Sequence, residues 1–358
     1  MKARRQLIRI LFLCLGAILA MAIVAAGYAR AGEENAGTTA ANFLSLGSGP
    51  RVLGMGGATL GLGTDLAASS WNPAALGWMN EGMIVLSHSG LDNASLQEWA
   101  AMGGKLGTGG TRWALSGLYQ GDGSFEGRDA SNNSTGSFSV AGFAAGAQLA
   151  QQLGPLTLGF GVKTVMEKLG DVSGIGTTFD GGLMYRQGFV SGGIAFQNMG
   201  GHMNYSGSVF PFPSNYGFGI AITPPGTGLS LAVDANFPYA YANDVRAGAE
   251  WRWKDMLALR AGYRHEMSEQ TDDPLSGPTF GLGAGTKGFW LDYGYLISGN
   301  QDGQHRVAVT FFPGSFGGLG GDPYGQGEIP DSFDEKPVKK VPLIGPPVPP
   351  GVNKKKGK

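Results

Sequence analysis

From Met83 to Pro313 the chain alternates apolar and polar residues in short runs, each closed by Gly, Asn, Asp, Pro or Ser. A period of two puts successive side chains on opposite faces of an extended strand, and helical periodicity is nearly absent, so this stretch reads as β-structure with two chemically different faces. Fourteen runs can be counted, beginning near Met83, Leu96, Thr111, Phe138, Pro155, Gly176, Phe189, Tyr216, Gly228, Asp244, Met256, Pro278, Gly288 and Gln304. An even number of strands of about ten residues is what a closed bacterial membrane barrel requires.

The two faces differ consistently. Leu156, Leu158, Phe160 and Val162 oppose Thr157, Gly159, Gly161 and Lys163, while Val245, Ala247, Ala249, Trp251 and Trp253 oppose Arg246, Gly248, Glu250 and Arg252. Leu257, Leu259, Ala261 and Tyr263 oppose Arg260, Gly262 and Arg264, and Asp292 opposes Phe289, Leu291, Tyr293 and Tyr295. A soluble β-sandwich also alternates. Here the apolar face is aromatic-rich near strand ends (Trp113, Tyr119, Trp251, Trp253, Phe289, Tyr295) and the other mixes glycine with charge. Lipid outside and a polar lumen inside account for both. The expected fold class is therefore all-β, a transmembrane antiparallel barrel over residues 81–313. Its lumen-side charges Arg246, Glu250, Arg252, Arg260, Arg264 and Asp292 predict an ion-pair ladder, or else a polar wall that steers a ligand's head group.

Export is written at the N-terminus. Lys2, Arg4, Arg5 and Arg9 precede an apolar stretch from Ile10 to Ala29 and the small-x-small site Ala29-Arg30-Ala31. This is the layout of a cleaved signal peptide over residues 1–31, although the stretch is also long enough for a retained anchor. The only cysteine, Cys14, leaves with it, so the mature chain holds no thiolate for disulfides or metal. Removing five of the 26 basic residues leaves 21 against 27 acids, a net charge near −6. Nucleic acid is an unexpected partner for such a chain. Past the signal no run of 18 apolar residues occurs, which excludes helical membrane spans but not a barrel. The 64 glycines follow no three-residue period, which excludes collagen and leaves Gly-rich strands and turns.

Residues 32–80 do not alternate. They hold Phe43, Leu44, Leu46, Val52, Leu53 and Met55 among other apolar residues, which need a pocket that a barrel lumen would supply, so the segment is expected to be a partly helical plug. Residues 314–358 turn acidic and then Pro- and Lys-rich, seven lysines falling at or after Lys336. That composition predicts an extended disordered tail, merely solvated or attracting a periplasmic partner or an acidic polymer.

The run Gly37-Thr38-Thr39-Ala40-Ala41-Asn42-Phe43-Leu44-Ser45-Leu46-Gly47-Ser48-Gly49-Pro50-Arg51-Val52-Leu53-Gly54-Met55-Gly56-Gly57-Ala58, followed by Trp71-Asn72-Pro73-Ala74-Ala75-Leu76, resembles the opening of PorV/PorQ-family proteins, relatives of the FadL-type transporters of hydrophobic compounds. The Asn-Pro-Ala triplet is similar to that of the FadL-type plug. The likeness is strong over residues 37–77 and architectural beyond, and the chain departs from it by continuing 46 residues (358 − 312) past Phe312. It implies a fourteen-stranded barrel of the outer membrane closed by its N-terminal segment. From the residues themselves, Gly54, Gly56 and Gly57 permit positive φ and close backbone approach, while Pro73 fixes φ and pushes Asn72 out of helical geometry. Arg51, Gly54, Gly56, Gly57, Asn72, Pro73 and Ala74 are thus a candidate gate or simply a rigid turn, and Phe43 and Leu46 a candidate ligand pocket.

Other chemistry is poorly supported. Gly54-Met55-Gly56 begins like a dinucleotide fingerprint, but Thr59 stands at the third glycine and no βαβ unit follows. Gly281 to Lys287 lacks a contiguous Gly-Lys-Ser/Thr. His88, His202, His265 and His305 are scattered, without metal-ligand or catalytic spacing. No enzyme activity, cofactor or metal is expected. Three readings remain: passive transport of small hydrophobic compounds across the outer membrane, a PorV-like platform for an exported protein in secretion or surface attachment, or a plain structural barrel with neither cargo nor partner. For the platform, the stretches 122–136, 200–215 and 266–277 are expected as long receiving loops.

Overall fold

The structure, a computed structural model, describes residues 33–91, 95–254, 256–267, 276–298 and 303–314. The proposed signal peptide and most of the Pro/Lys-rich tail lie outside these residues. Strands β1 (Met83–Gly90), β2 (Leu96–Lys105), β3 (Thr111–Arg128), β4 (Ser134–Leu153), β5 (Leu156–Leu169), β6 (Val172–Gln187) and β7 (Val190–Met199) form the first half of the sheet. After two short strands, β8 (His202–Tyr205) and β9 (Ser208–Pro211), come β10 (Asn215–Ile222), β11 (Leu229–Pro238), β12 (Asp244–Trp253), β13 (Leu257–Glu266), β14 (Gly277–Thr286), β15 (Phe289–Leu296) and β16 (Gln304–Phe311). Every pairing is antiparallel, β1 joins β16, and β7 joins β10. Because β8 and β9 only extend a ladder from β6, the closed ring has fourteen strands.

Closure leaves no open edge, as spanning a membrane demands, since hydrocarbon offers nothing to an unpaired N–H or C=O. The β5–β6 ladder shows how alternation maps onto the two solvents. Leu158 faces Leu183 and Phe160 faces Gly181 outside, while Thr157 faces Met184 and Gly159 faces Gly182 inside. Phe160 is 56% exposed and Thr157 is fully buried, the reverse of a water-soluble protein. Lipid is the solvent that makes such an exterior stable.

One end of the barrel has mostly short connections, such as Gly154-Pro155, Gly188-Phe189 and Lys287-Gly288, and the other carries the longest, between β7 and β10, besides the two-residue Gly170-Asp171 turn between β5 and β6. At the longer end the structure corrects two loop expectations. Residues 122–136 are mostly strand, because β3 and β4 run on to a tip at 129–133, and 200–215 contains β8 and β9. Strand β4 starts at Ser134 rather than near Phe138, and β6 at Val172 rather than near Gly176. Above the rim both faces of a hairpin meet water, so the contrast that makes alternation visible vanishes. The third expected loop, 266–277, lies largely outside the described residues.

Candidate functional site

The segment from Glu33 to Gly82 folds inside the ring as short helical turns at Pro50–Gly54, Leu66–Ser69 and Pro73–Trp78. Each start has a local cause. Pro50 occupies the first turn of its helix, where a missing N–H costs nothing. Asp65 caps the second by accepting from Ala68 N at 2.8 Å. Extended Asn72 caps the third, its Oδ1 accepting from Ala74 N at 3.1 Å.

The plug rests on glycine. Four in-register cross-strand pairs, Gly159 with Gly182, Gly193 with Gly219, Gly248 with Gly262 and Gly281 with Gly294, line the inner wall. A Cβ on Gly182 would lie 2.0 Å from Asn72 Oδ1, on Gly193 1.9 Å from the Leu60 carbonyl oxygen, and on Gly262 2.3 Å from Gly56 N. The plug backbone therefore lies directly on the sheet, which explains part of the glycine excess. Gly56 and Gly57 have φ of 65° and 83°, whereas Gly54 is helical and sits against Gly281.

Charge ties plug to wall. Arg51 grips Glu250 through two bonds of 2.9 Å, Nε to Oε2 and Nη2 to Oε1, and also pairs with Asp65. Glu250 accepts from Arg260 at 2.6 Å and Arg252 at 3.3 Å, and Arg260 reaches Asp292 at 2.6 Å. That last bond crosses β14, where a Cβ on Gly283 would lie 2.5 Å from Asp292 Oδ1. Separately, Asp244 holds Arg246 at 2.6 Å and Arg264 at 3.0 Å. Asp234 accepts from Thr59 N at 2.6 Å and Leu60 N at 2.8 Å. Such buried networks contribute little net stability, but losing one member strands the rest.

A cavity of about 400 Å³ lies between the plug and the longer-loop end. Leu44, Leu46, Trp71, Leu91 and Tyr241 give it apolar surface, and Arg246 stacks its guanidinium 4.4 Å from the Trp71 ring centroid. A smaller cavity of about 50 Å³ shares Leu44, Trp71 and Gln197 with it. Of the sequence-derived residues, Leu46 lines the larger cavity, whereas Phe43 packs into the wall beside Gly142, Val165 and Met203. Arg51, Gly54, Gly56 and Gly57 meet β12 to β14, and Asn72, Pro73 and Ala74 meet β5 and β6. The six lumen charges fall into two groups: Arg246 and Arg264 at the cavity, and Glu250, Arg252, Arg260 and Asp292 beneath the plug. Sequence reasoning passed over Asp65, Asp234 and Asp244. Asp244 and Asp234 share the inward parity of Arg246 and Ser230, and Asp65 precedes a short apolar helix as a cap, so each had a signal.

No protein-family profile and no curated protein sequence matches the chain. Among solved structures it is similar to the toluene transporter TbuX of Ralstonia pickettii, with a TM-score of 0.56 and 16% identity over 74% of this chain and 98% of that one. The toluene transporter TodX of P. putida is similar at a TM-score of 0.53 and 15% identity, with the same coverage of each chain. At these identities the likeness is one of fold.

Proposed function

We propose that this chain is an outer-membrane channel of the FadL type for passive transport of small hydrophobic compounds, with the tight-turn end toward the periplasm. The observation that carries the reading is the cavity of about 400 Å³, enclosed by the barrel, floored by the plug and holding Leu44, Leu46, Trp71, Leu91 and Tyr241. Its size lies in the range of small-molecule sites. The shared fold of two proteins described as toluene transporters supports the same reading, as does the PorV/PorQ-like opening of residues 37–77. A compound enters from the longer-loop end, exchanges water for the apolar wall, and passes the plug down its own gradient. The candidate gate is the segment resting on the glycine pairs, from Arg51 to Ala74.

Uptake of labelled toluene by cells of a strain without such a channel, with and without this protein in the outer membrane, tests the reading. Faster uptake that survives collapse of the membrane potential is expected. Equal uptake in both strains, together with an exported protein co-purifying in stoichiometric amount, overturns it in favour of a secretion platform.

A further inference from the structure

Trp71 lines both cavities, a position it shares with Leu44 and Gln197. On β3, Gln120 and Asp122 line the larger cavity and Ser116 and Leu118 the smaller, so the smaller one lies deeper, away from the longer-loop end. The two spaces differ in what they admit. An apolar cavity of about 150 Å³ accepts benzene, so the larger, at about 400 Å³, holds a small aromatic ring and the smaller, at about 50 Å³, does not. A ligand moving inward from the larger cavity therefore meets the three shared side chains as its first obstruction.

The three are not equally fixed. Gln197 is tied at both atoms of its amide, donating to the Ser70 carbonyl at 3.3 Å and accepting from Asn215 at 2.7 Å. The Trp71 backbone is tied as well. Its N–H donates to the Ala68 carbonyl at 3.0 Å, and the neighbouring Asn72 side chain donates to the Leu60 carbonyl at 3.1 Å within the glycine seat. The Trp71 ring is different, because its Nε1 has no hydrogen-bond partner among the described residues. Contact holds it: the Arg246 guanidinium is 4.4 Å from its centroid, and its edge meets Gly47, where a Cβ would lie 2.4 Å from Cζ2. A turn of the indole on this fixed backbone breaks no hydrogen bond, and it clears the largest of the three side chains from the way. We infer that the Trp71 indole is the moving gate between the two cavities and sets the width of ring that passes. The inference rests on the transport reading above and names the moving part of its gate.

Thiol reactivity tests it, because Cys14 lies in the proposed signal peptide and one introduced cysteine is then the mature chain's sole thiol. N-phenylmaleimide is added to the purified protein in detergent, with the thiol placed by Ser95→Cys in the larger cavity or by Ser116→Cys in the smaller. A minor open state is populated at about 10% or less, so Ser116→Cys should react at least about tenfold more slowly than Ser95→Cys. Adding Trp71→Ala should remove most of that difference by speeding Ser116→Cys alone, and Trp71→Phe, with its smaller ring, should give an intermediate rate. Ser191→Cys lies under the seat, where Ser191 donates to the Gly61 carbonyl at 2.7 Å, and should stay unreactive beside Trp71→Ala. Equal rates at the two cavities with Trp71 in place overturn the gate, as does a Ser116→Cys rate that neither Trp71 variant changes. A Ser191→Cys that becomes reactive also overturns it, since the whole plug has then loosened. Trp71→Phe keeps the ordering testable even if Trp71→Ala fails to fold. In cells, the natural protein should take up toluene faster than naphthalene and Trp71→Ala should narrow that ratio; an unchanged ratio overturns the assignment of width to Trp71. Uptake of neither compound by the natural protein overturns the transport reading, independently of the thiol rates.

Discussion

At Gly193 a Cβ would stand 1.9 Å from the Leu60 carbonyl oxygen and 2.7 Å from its carbon, and neither atom can swing aside as a side chain could. Gly193→Val should therefore lift the plug from β7 and β10, costing on the order of 1–3 kcal/mol and raising ion conductance in planar bilayers. Gly181, on the same sheet but facing outward with nothing within 4 Å, is the control: Gly181→Val should leave conductance unchanged. If both variants conduct alike, the glycine seat is not what holds the plug. Glu250 poses the complementary case, as the carboxylate shared by Arg51, Arg252 and Arg260. Glu250→Gln removes the charge that three guanidiniums share and should cost about 3–5 kcal/mol in urea unfolding. A loss below 1 kcal/mol would mean that water already reaches the network.

At the scale of elements, β3 and β4 carry strand pairing well past the rim, closed by a tip in which Asp129 Oδ1 accepts from Ser131 N at 2.9 Å and Asn133 N at 2.8 Å. The side-chain and backbone bonds from Asn133 hold this carboxyl below the usual range. A depressed acid contributes order that is present above its unfolded pKa of about 3.9 and lost as pH falls through its lower folded value. Amide exchange at Ser131 and Asn133 should thus be slow at neutral pH, relative to the intrinsic rate, and lose protection in strong acid. Asp129→Asn should flatten that dependence. The β8–β9 hairpin has a different task. Tyr205 bonds Glu167, which also accepts from Ala41 N at 3.1 Å, so the hairpin braces the start of the plug.

For the molecule as a whole, ring closure and occlusion have separate causes. The β1–β16 ladder closes the barrel without any plug residue, whereas the plug alone fills the centre. Deleting residues 33–80 should leave a barrel that still shifts on gels between unheated and boiled samples. The same protein should pass ions freely where the natural protein passes few. A deletion protein that shows no heat shift would mean that the plug is part of the folding nucleus. An unchanged conductance would place the seal elsewhere.

Period-two alternation was sufficient to count the fourteen ring strands and to sort residues such as Phe160 and Arg260 onto opposite faces, because each strand reads its two solvents locally. The turn chemistry of Asn72 and Pro73 was equally local. What sequence could not reveal is which inward residues meet. Arg51 and Glu250 are 199 positions apart, and Arg260 finds Asp292 only because glycines on β14 clear the path. Phe43 and Leu46, three positions apart, point to wall and cavity respectively. Closure of the ring sets these meetings, and closure is a property of all fourteen strands together, so the seat of the plug and the polarity of the cavity belong to the tertiary structure alone.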